Sequence, residues 1–205
     1  MAEYLYKYRS LEDLERFFSI IIDKKLYGAL FNEMNDPMEG YYKYDPQVDK
    51  SVYEAIVHGK LSHYICSLSK RGDIGLMWTH YGNQNKGCCL EVEVTSKTWT
   101  RVDVNYSESM PEINEDTTVE DILSVKAKVW EYEKEVRYLS PESNIKKRPR
   151  LSVRVNRILL GCNVSRAQET HLRKIIKAIN YSIIVEKMTK EKLDYGFIKN
   201  PVSIV

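Results

Sequence analysis

Glu133, Glu135 and Arg137 alternate within one stretch, Trp130-Glu131-Tyr132-Glu133-Lys134-Glu135-Val136-Arg137. If the stretch is extended, side chains two apart share a face, and two carboxylates and a guanidinium stand side by side. Paired carboxylates divide acid and base work when their surroundings push their pKa values apart. Arg137 beside Glu135 would instead keep it ionised, which suits stabilising a developing cation. If the stretch is helical, Glu133 and Arg137 form an i,i+4 pair contributing about 0.2–0.5 kcal/mol and no chemistry. His80 lies in Met77-Trp78-Thr79-His80-Tyr81, and histidine is the side chain most often used as a general base. No nucleophile motif accompanies it, so it either lines a pocket or is a structural ring bonded to the backbone and Tyr81. Trp78 and Tyr81 offer flat surfaces to an aromatic ligand ring, or else pack as core or rim. Lys146, Lys147, Arg148, Arg150, Arg154 and Arg157 form a basic cluster. It either meets phosphates or is a solvated loop, and no aromatic interleaves with it to stack single-stranded bases.

The elements that must hold these groups follow from periodicity and caps. Leu5 to Tyr8 reads as a strand, and Ser10 with Asp13 as a variant capping box opening a helix that ends near Asp23. Leu26 to Phe31 is a short strand, followed by turn chemistry through Pro37. Tyr53 to Val57 is helical, His63 to Ser69 a strand, Ile74 to Tyr81 a short helix ended by Gly82, Asn83 and Asn85. Gly87 to Val94 and Arg101 to Tyr106 are strands, with Glu91 and Glu93 at alternate positions of the first. A helix starts at Thr118 with Asp121 completing a capping box. Ile122, Val125, Val129, Tyr132, Val136 and Leu139 continue it at helical spacing, yet Trp130 to Leu139 also alternates as a strand with an acidic face. Leu151 to Val155 and Ile158 to Gly161 are strands joined by a turn at Asn156. Ser165 caps a helix to about Asn180, Tyr181 to Met188 is a strand, and Tyr195 to Ile198 an edge strand. The sum is one α+β domain over residues 1–205, with a largely antiparallel mixed sheet flanked by helices.

Composition narrows the function classes. The chain has 205 residues, 43% hydrophobic and 29% charged, which is a globular mixture, and a net charge of +2 that exerts no strong pull on nucleic acid. No apolar run reaches the ~18 residues of a membrane span, and the N-terminal order is not that of a signal peptide. Cys66, Cys88, Cys89 and Cys162 form no CxxC pair and have no His at zinc spacing. Reduced thiols in a cytoplasmic protein without a metal are expected. There is no GxGxxG and no GxxxxGK[ST], which argues against a Rossmann or P-loop site.

Six spaced blocks together resemble the bacterial domain of unknown function family 2971. They are Leu5 to Ser10, Asn35 to Glu39, Cys66 to Ser69, Met77 to Tyr81 with Lys86 to Cys88, Trp130 to Arg137, and Ile158 to Gly161. The layout also resembles, more distantly, the ADP-ribosyltransferase superfamily: a first strand with a polar residue, a later strand carrying Ser, and a late Glu-x-Glu. That resemblance implies an ADP-ribosyltransferase-like fold and NAD as substrate, with a nucleic-acid or protein acceptor in a defence or toxin setting. It places Tyr6, Lys7, Tyr8 and Ser67 at the cofactor, with His80 and Tyr81 in the same pocket. Glu135 then bonds the nicotinamide ribose and stabilises an oxocarbenium-like transition state, and Glu133 orients the acceptor. It also requires the segment from Lys134 to Leu139 to be a strand. The alternative is a non-catalytic nucleotide- or partner-binding protein of the same fold.

Overall fold

A computed structural model describes residues 3–141 and 148–194. In chain order its helices and strands are β1 (Leu5–Arg9), α1 (Leu14–Asp23), β2 (Lys25–Tyr27), β3 (Ala29–Leu30), α2 (Lys50–Ser62), β4 (His63–Ser69), α3 (Gly75–His80) and β5 (Cys88–Val94). There follow β6 (Thr100–Asp103), β7 (Asn105–Ser107), α4 (Val119–Leu123), β8 (Val125–Ala127), β9 (Glu135–Pro141), β10 (Arg150–Leu160), α5 (Arg166–Ile179) and β11 (Ile184–Lys187). The architecture is α+β with mostly antiparallel pairing. Lys146, Lys147 and the expected edge strand at Tyr195 to Ile198 lie outside the described residues.

The chain divides into two compact units that interleave in sequence. The first comprises Met1–Lys25, Ser69–Thr95 and Ser152–Val205. Its strands run in the order β11-β10-β5-β1. β1 and β10 each pair antiparallel with β5, and β11 pairs parallel with β10. The parallel pair needs a crossover, which α5 supplies. Phe17, Ile20 and Ile21 give α1 its buried stripe, and Asp13 caps it, accepting from Arg16 N at 2.8 Å. The cap is therefore Asp13 and not Ser10, whose hydroxyl accepts from Glu12 N one turn earlier. Ser165 caps α5 as expected, accepting from Gln168 N. β11 is shorter than the expected Tyr181 to Met188 strand, and Tyr181 stands exposed before it.

The two strands expected around Asn156 are one strand. In β10 Val155 pairs with Val92 and Arg157 with Glu91, so two steps on β10 oppose one on β5. Asn156 is the extra residue of a β-bulge. A bulge shifts the in-out alternation by one, and that phase break mimics a turn in the sequence.

The second unit comprises Leu26–Leu68 and Ser96–Leu151. Its strands run β3-β4-β9-β6, and β7 and β8 form a separate parallel pair. α2 packs through Tyr53 and Ile56 against Ile113 and Ile122, and Ile65, Leu123 and Leu139 make a second buried cluster. The expected strand over Leu26 to Phe31 is interrupted at Gly28, where a Cβ would lie 2.6 Å from the Trp99 ring. Arg101 to Tyr106 is likewise divided, because Val104 N donates to Glu135 O and the chain then leaves β9 to join β8. Thr118 and Asp121 form the expected reciprocal capping box, but α4 stops at Leu123. A two-turn 3-10 segment over Lys128–Glu133 follows β8 and ends at Lys134, whose φ is +48°. Helical periodicity therefore misleads past Leu123: Val129, one of its apolar positions, is 73% exposed. The strand required from Lys134 to Leu139 is present from Glu135 on as β9, with Lys134 left outside it as the cap of the 3-10 segment.

Candidate functional site

β9 turns Glu135 and Arg137 to one face, and both are buried. Glu133 is not on the strand. It ends the 3-10 segment, and the left-handed Lys134 separates it from Glu135. Lys126 on β8 joins them, its Nζ donating to Glu133 Oε2 at 2.5 Å and to Glu135 Oε2 at 3.1 Å. Arg137 donates from Nε to Glu135 Oε1 at 2.9 Å, from Nη2 to Glu135 Oε2 at 3.2 Å and from Nη1 to Leu123 O at 2.5 Å. Its Nη2 also meets Glu39 Oε1. The Glu135 amide donates to the Tyr106 hydroxyl at 2.7 Å.

Burial alone would raise the Glu135 carboxyl, but Arg137 and Lys126, with the Ser67 side chain beside it, hold it down to about 2. Burial raises Glu39, and the neighbouring Arg137 only partly offsets it. Three carboxylates thus face two cations away from water, so one carboxylate is in excess. Such a network is costly to assemble and more costly to break. The oxygens of Glu135 are committed to fixed partners, which rigidifies β8 against β9, while Glu39 meets the network through Arg137.

Ser67, Glu133 and Glu135 therefore come together, within the second unit. Tyr6, Lys7, Tyr8, His80 and Tyr81 belong to the first. Tyr8 is buried, donating its hydroxyl to Arg71 O at 2.9 Å and accepting from Ile74 N at 3.3 Å. Its ring meets Trp78 edge-on at 5.5 Å. Trp78 is itself fully buried and donates Nε1 to Gly72 O at 3.0 Å, so it is core and offers no platform to a ligand. Tyr6 donates to Glu91 Oε2 at 3.0 Å, and Lys7 is half-buried between the two tyrosines. His80 is exposed at the end of α3, with its ring against the edge of Tyr81 at 6.4 Å.

After α3 the chain makes a left-handed turn through Asn83, Gln84 and Asn85, with φ of +47°, +53° and +65°. Each such residue costs roughly 1–2 kcal/mol. The turn is held by Asn85 N on Trp78 O, Gly87 N on Gly82 O and Asn163 N on Asn85 O. Gly161 packs against it so closely that a Cβ would sit 2.1 Å from Asn85 O. Trp78 and Gly161, one in each of two of the spaced blocks, thus have a packing role at this turn.

The basic cluster divides. Arg148 forks onto Glu33 at 2.7 to 3.0 Å and covers the Tyr27 ring at 4.8 Å. Arg154 and Arg157 instead line a cavity of about 540 Å³ in the first unit, at the β10 bulge. Lys24, Glu91, Asn156 and Ser182 are also in its wall. Lys24, in left-handed conformation, ends α1, and its carbonyl accepts from Val153 N, tying the helix end to β10. Arg154 is paired with Glu93 at 2.8 Å. Arg157 is held loosely: its Nη1 lies 3.5 Å from both Glu186 oxygens and its Nε 3.6 Å from Glu91 Oε1. Arg157 Nε and Asn156 Nδ2 are buried and donate to no acceptor among the described residues. The sequence carried the charges of this site but not the bulge that groups them.

The remaining chemistry-bearing residues are quiet. Cys66, Cys88, Cys89 and Cys162 are in no disulfide, and burial pushes the Cys88 thiol up to about 12. Among the described residues no group of three or more His, Cys, Asp or Glu side chains is placed to hold a metal ion, and no helix is long and apolar enough to cross a membrane. No family model, curated protein or solved structure matches the chain.

Proposed function

We propose that this protein binds a small phosphate-bearing ligand, nucleotides included, in the cavity at the β10 bulge. The observation that carries the reading is Arg157. A guanidinium has five donors in a fixed fork that matches phosphate or carboxylate oxygens. Here it lines a cavity and sits at or beyond the limit of hydrogen bonding to two carboxylates, with its Nε buried toward Glu91 and its remaining donors held loosely. Lys24 adds positive charge to the wall, and Arg154, whose charge Glu93 partly offsets, adds further guanidinium donors. The volume lies in the range of roughly 300–1,000 Å³ typical of small-molecule sites.

The transferase reading puts its chemistry on Glu135. That carboxylate spends both oxygens on Arg137, shares one with Lys126, and its side chain is 5% exposed. Binding without turnover is the function this geometry favours. Release of nicotinamide from NAD, stopped by Glu135→Gln, is the result that would restore the transferase.

The direct test is calorimetric titration of AMP, ADP and NAD into wild type and Arg157→Gln at low salt. A charge-assisted hydrogen bond contributes about 1.5–3 kcal/mol, so the substitution should weaken binding roughly 10- to 100-fold. Absence of binding by all three ligands, or affinities indifferent to Arg157→Gln, would remove the proposal.

A further inference from the structure

The cavity wall is basic except at Glu91. Glu91 lies on β5 directly across the ladder from Arg157 and is largely buried. A buried carboxylate inside an anion site is costly unless something uses it. Its Oε2 accepts the Tyr6 hydroxyl at 3.0 Å, while its Oε1 faces Arg157 Nε across 3.6 Å, beyond hydrogen-bond length. Oε1 therefore keeps acceptor capacity beside a guanidinium that keeps donor capacity.

A carboxylate accepts and does not donate. The ligand group against Glu91 must be a donor, next to the acceptor group held by Arg157. A cationic donor is repelled by Lys24, Arg154 and Arg157, which leaves a neutral donor, and the neutral donor closest to the phosphate in small phosphate-bearing metabolites is a sugar hydroxyl. Building on the phosphate-site reading above, we propose that Glu91 selects ligands whose phosphate is accompanied by sugar hydroxyls: sugar phosphates, of which ribonucleoside monophosphates are one source and free pentose phosphates another. Tyr4 and Ile184 line the same cavity and are 48% and 52% exposed. They provide apolar surface that a base would cover and a free pentose would not, so the nucleotide is the favoured source. Tyr6, which does not line the cavity, is a positioning residue that fixes the Glu91 rotamer.

Titrations of AMP, 2′,3′-dideoxy-AMP, ribose 5-phosphate and inorganic phosphate into wild type, Glu91→Gln and Tyr6→Phe test this. Wild type should prefer AMP over the dideoxy analogue by roughly 10- to 100-fold, the loss expected when one hydrogen bond to a charged group is removed. AMP should bind more tightly than ribose 5-phosphate. Glu91→Gln should compress the AMP preference to a few-fold while tightening inorganic phosphate, because it removes the charge that opposes anions. Tyr6→Phe should compress the preference without tightening phosphate. A merely structural Glu91 would weaken all four ligands together. Equal wild-type affinity for AMP and the dideoxy analogue would overturn the hydroxyl assignment and leave the phosphate site standing. No binding by any phosphate-bearing ligand would remove the phosphate site itself. Should Glu91→Gln fail to fold, the wild-type ratio and Tyr6→Phe decide.

Discussion

Arg137→Met is the perturbation that most directly tests the buried charge network. Arg137 has no exposed surface and donates to Glu135 Oε1, Glu135 Oε2 and Leu123 O, besides meeting Glu39. Methionine keeps the apolar bulk and removes every donor, leaving two buried carboxylates without their cation. Breaking a buried pair from one side costs about 3–5 kcal/mol. Lys126 remains at 3.1 Å from Glu135, so the low end, about 3 kcal/mol, is expected. For a chain of this length that corresponds to a fall in Tm of roughly 6–12 °C. Arg137→Lys should fall between wild type and Met, since it keeps the charge but not the fork. The decisive variant is Arg137→Met with Glu135→Gln and Glu39→Gln. It removes two carboxylates and one cation together and leaves Lys126 paired with Glu133 at 2.5 Å. It should recover most of the loss, because well-packed neutral replacements of a whole buried network are often neutral or better. Urea unfolding monitored by circular dichroism reads all three, with an unchanged m-value as the check that the denatured state is the same. A loss below about 1 kcal/mol in Arg137→Met would refute the assignment of a tightly coupled network. A triple variant no more stable than the single one would refute the charge argument and leave only packing.

The same network sets a pH dependence of two signs. Glu39 is raised in the fold, so its contribution is present below the unfolded carboxyl value of about 4.3 and is lost as pH rises through the folded one, whereas Glu135, held near 2, loses its contribution as pH falls from about 4.3 toward 2. The urea midpoint should therefore decline on both sides, and Glu39→Gln should flatten the alkaline side only. An unchanged alkaline slope in that variant would count against the surplus carboxylate. Gly161→Ala should be destabilising by about 1–3 kcal/mol, the usual cost of overpacking, because its Cβ would lie 2.1 Å from Asn85 O and the left-handed turn would have to shift. A calorimetric Tm equal to wild type would show that the turn yields freely.

Much of the framework is legible in the sequence because its signals act over a few residues. Asp121 closes the capping box on Thr118 three residues away, and Ser165 caps Gln168 across the same distance. Apolar spacing marks α1 and α5, each of which buries one stripe, and short apolar runs mark β4 and β5, which are buried on both faces over most of their length. The segment after Leu123 obeys different rules. Its apolar residues are spaced for a helix, but Lys126, Glu133, Glu135 and Arg137 are buried, and buried charges take the conformation in which they meet their partners. One of those partners, Glu39, is remote in sequence, and no local pattern announces it. The Glu133, Glu135 and Arg137 triplet was visible as a candidate site, and only packing assigned its oxygens to a clamp. The cavity is the converse case. Arg154, Arg157 and Glu91 were visible as charges, but the bulge at Asn156 is a mismatch between two strands and exists only where β10 meets β5. Pairing register is a property of two segments at once, so a single stretch of chain cannot encode where it slips.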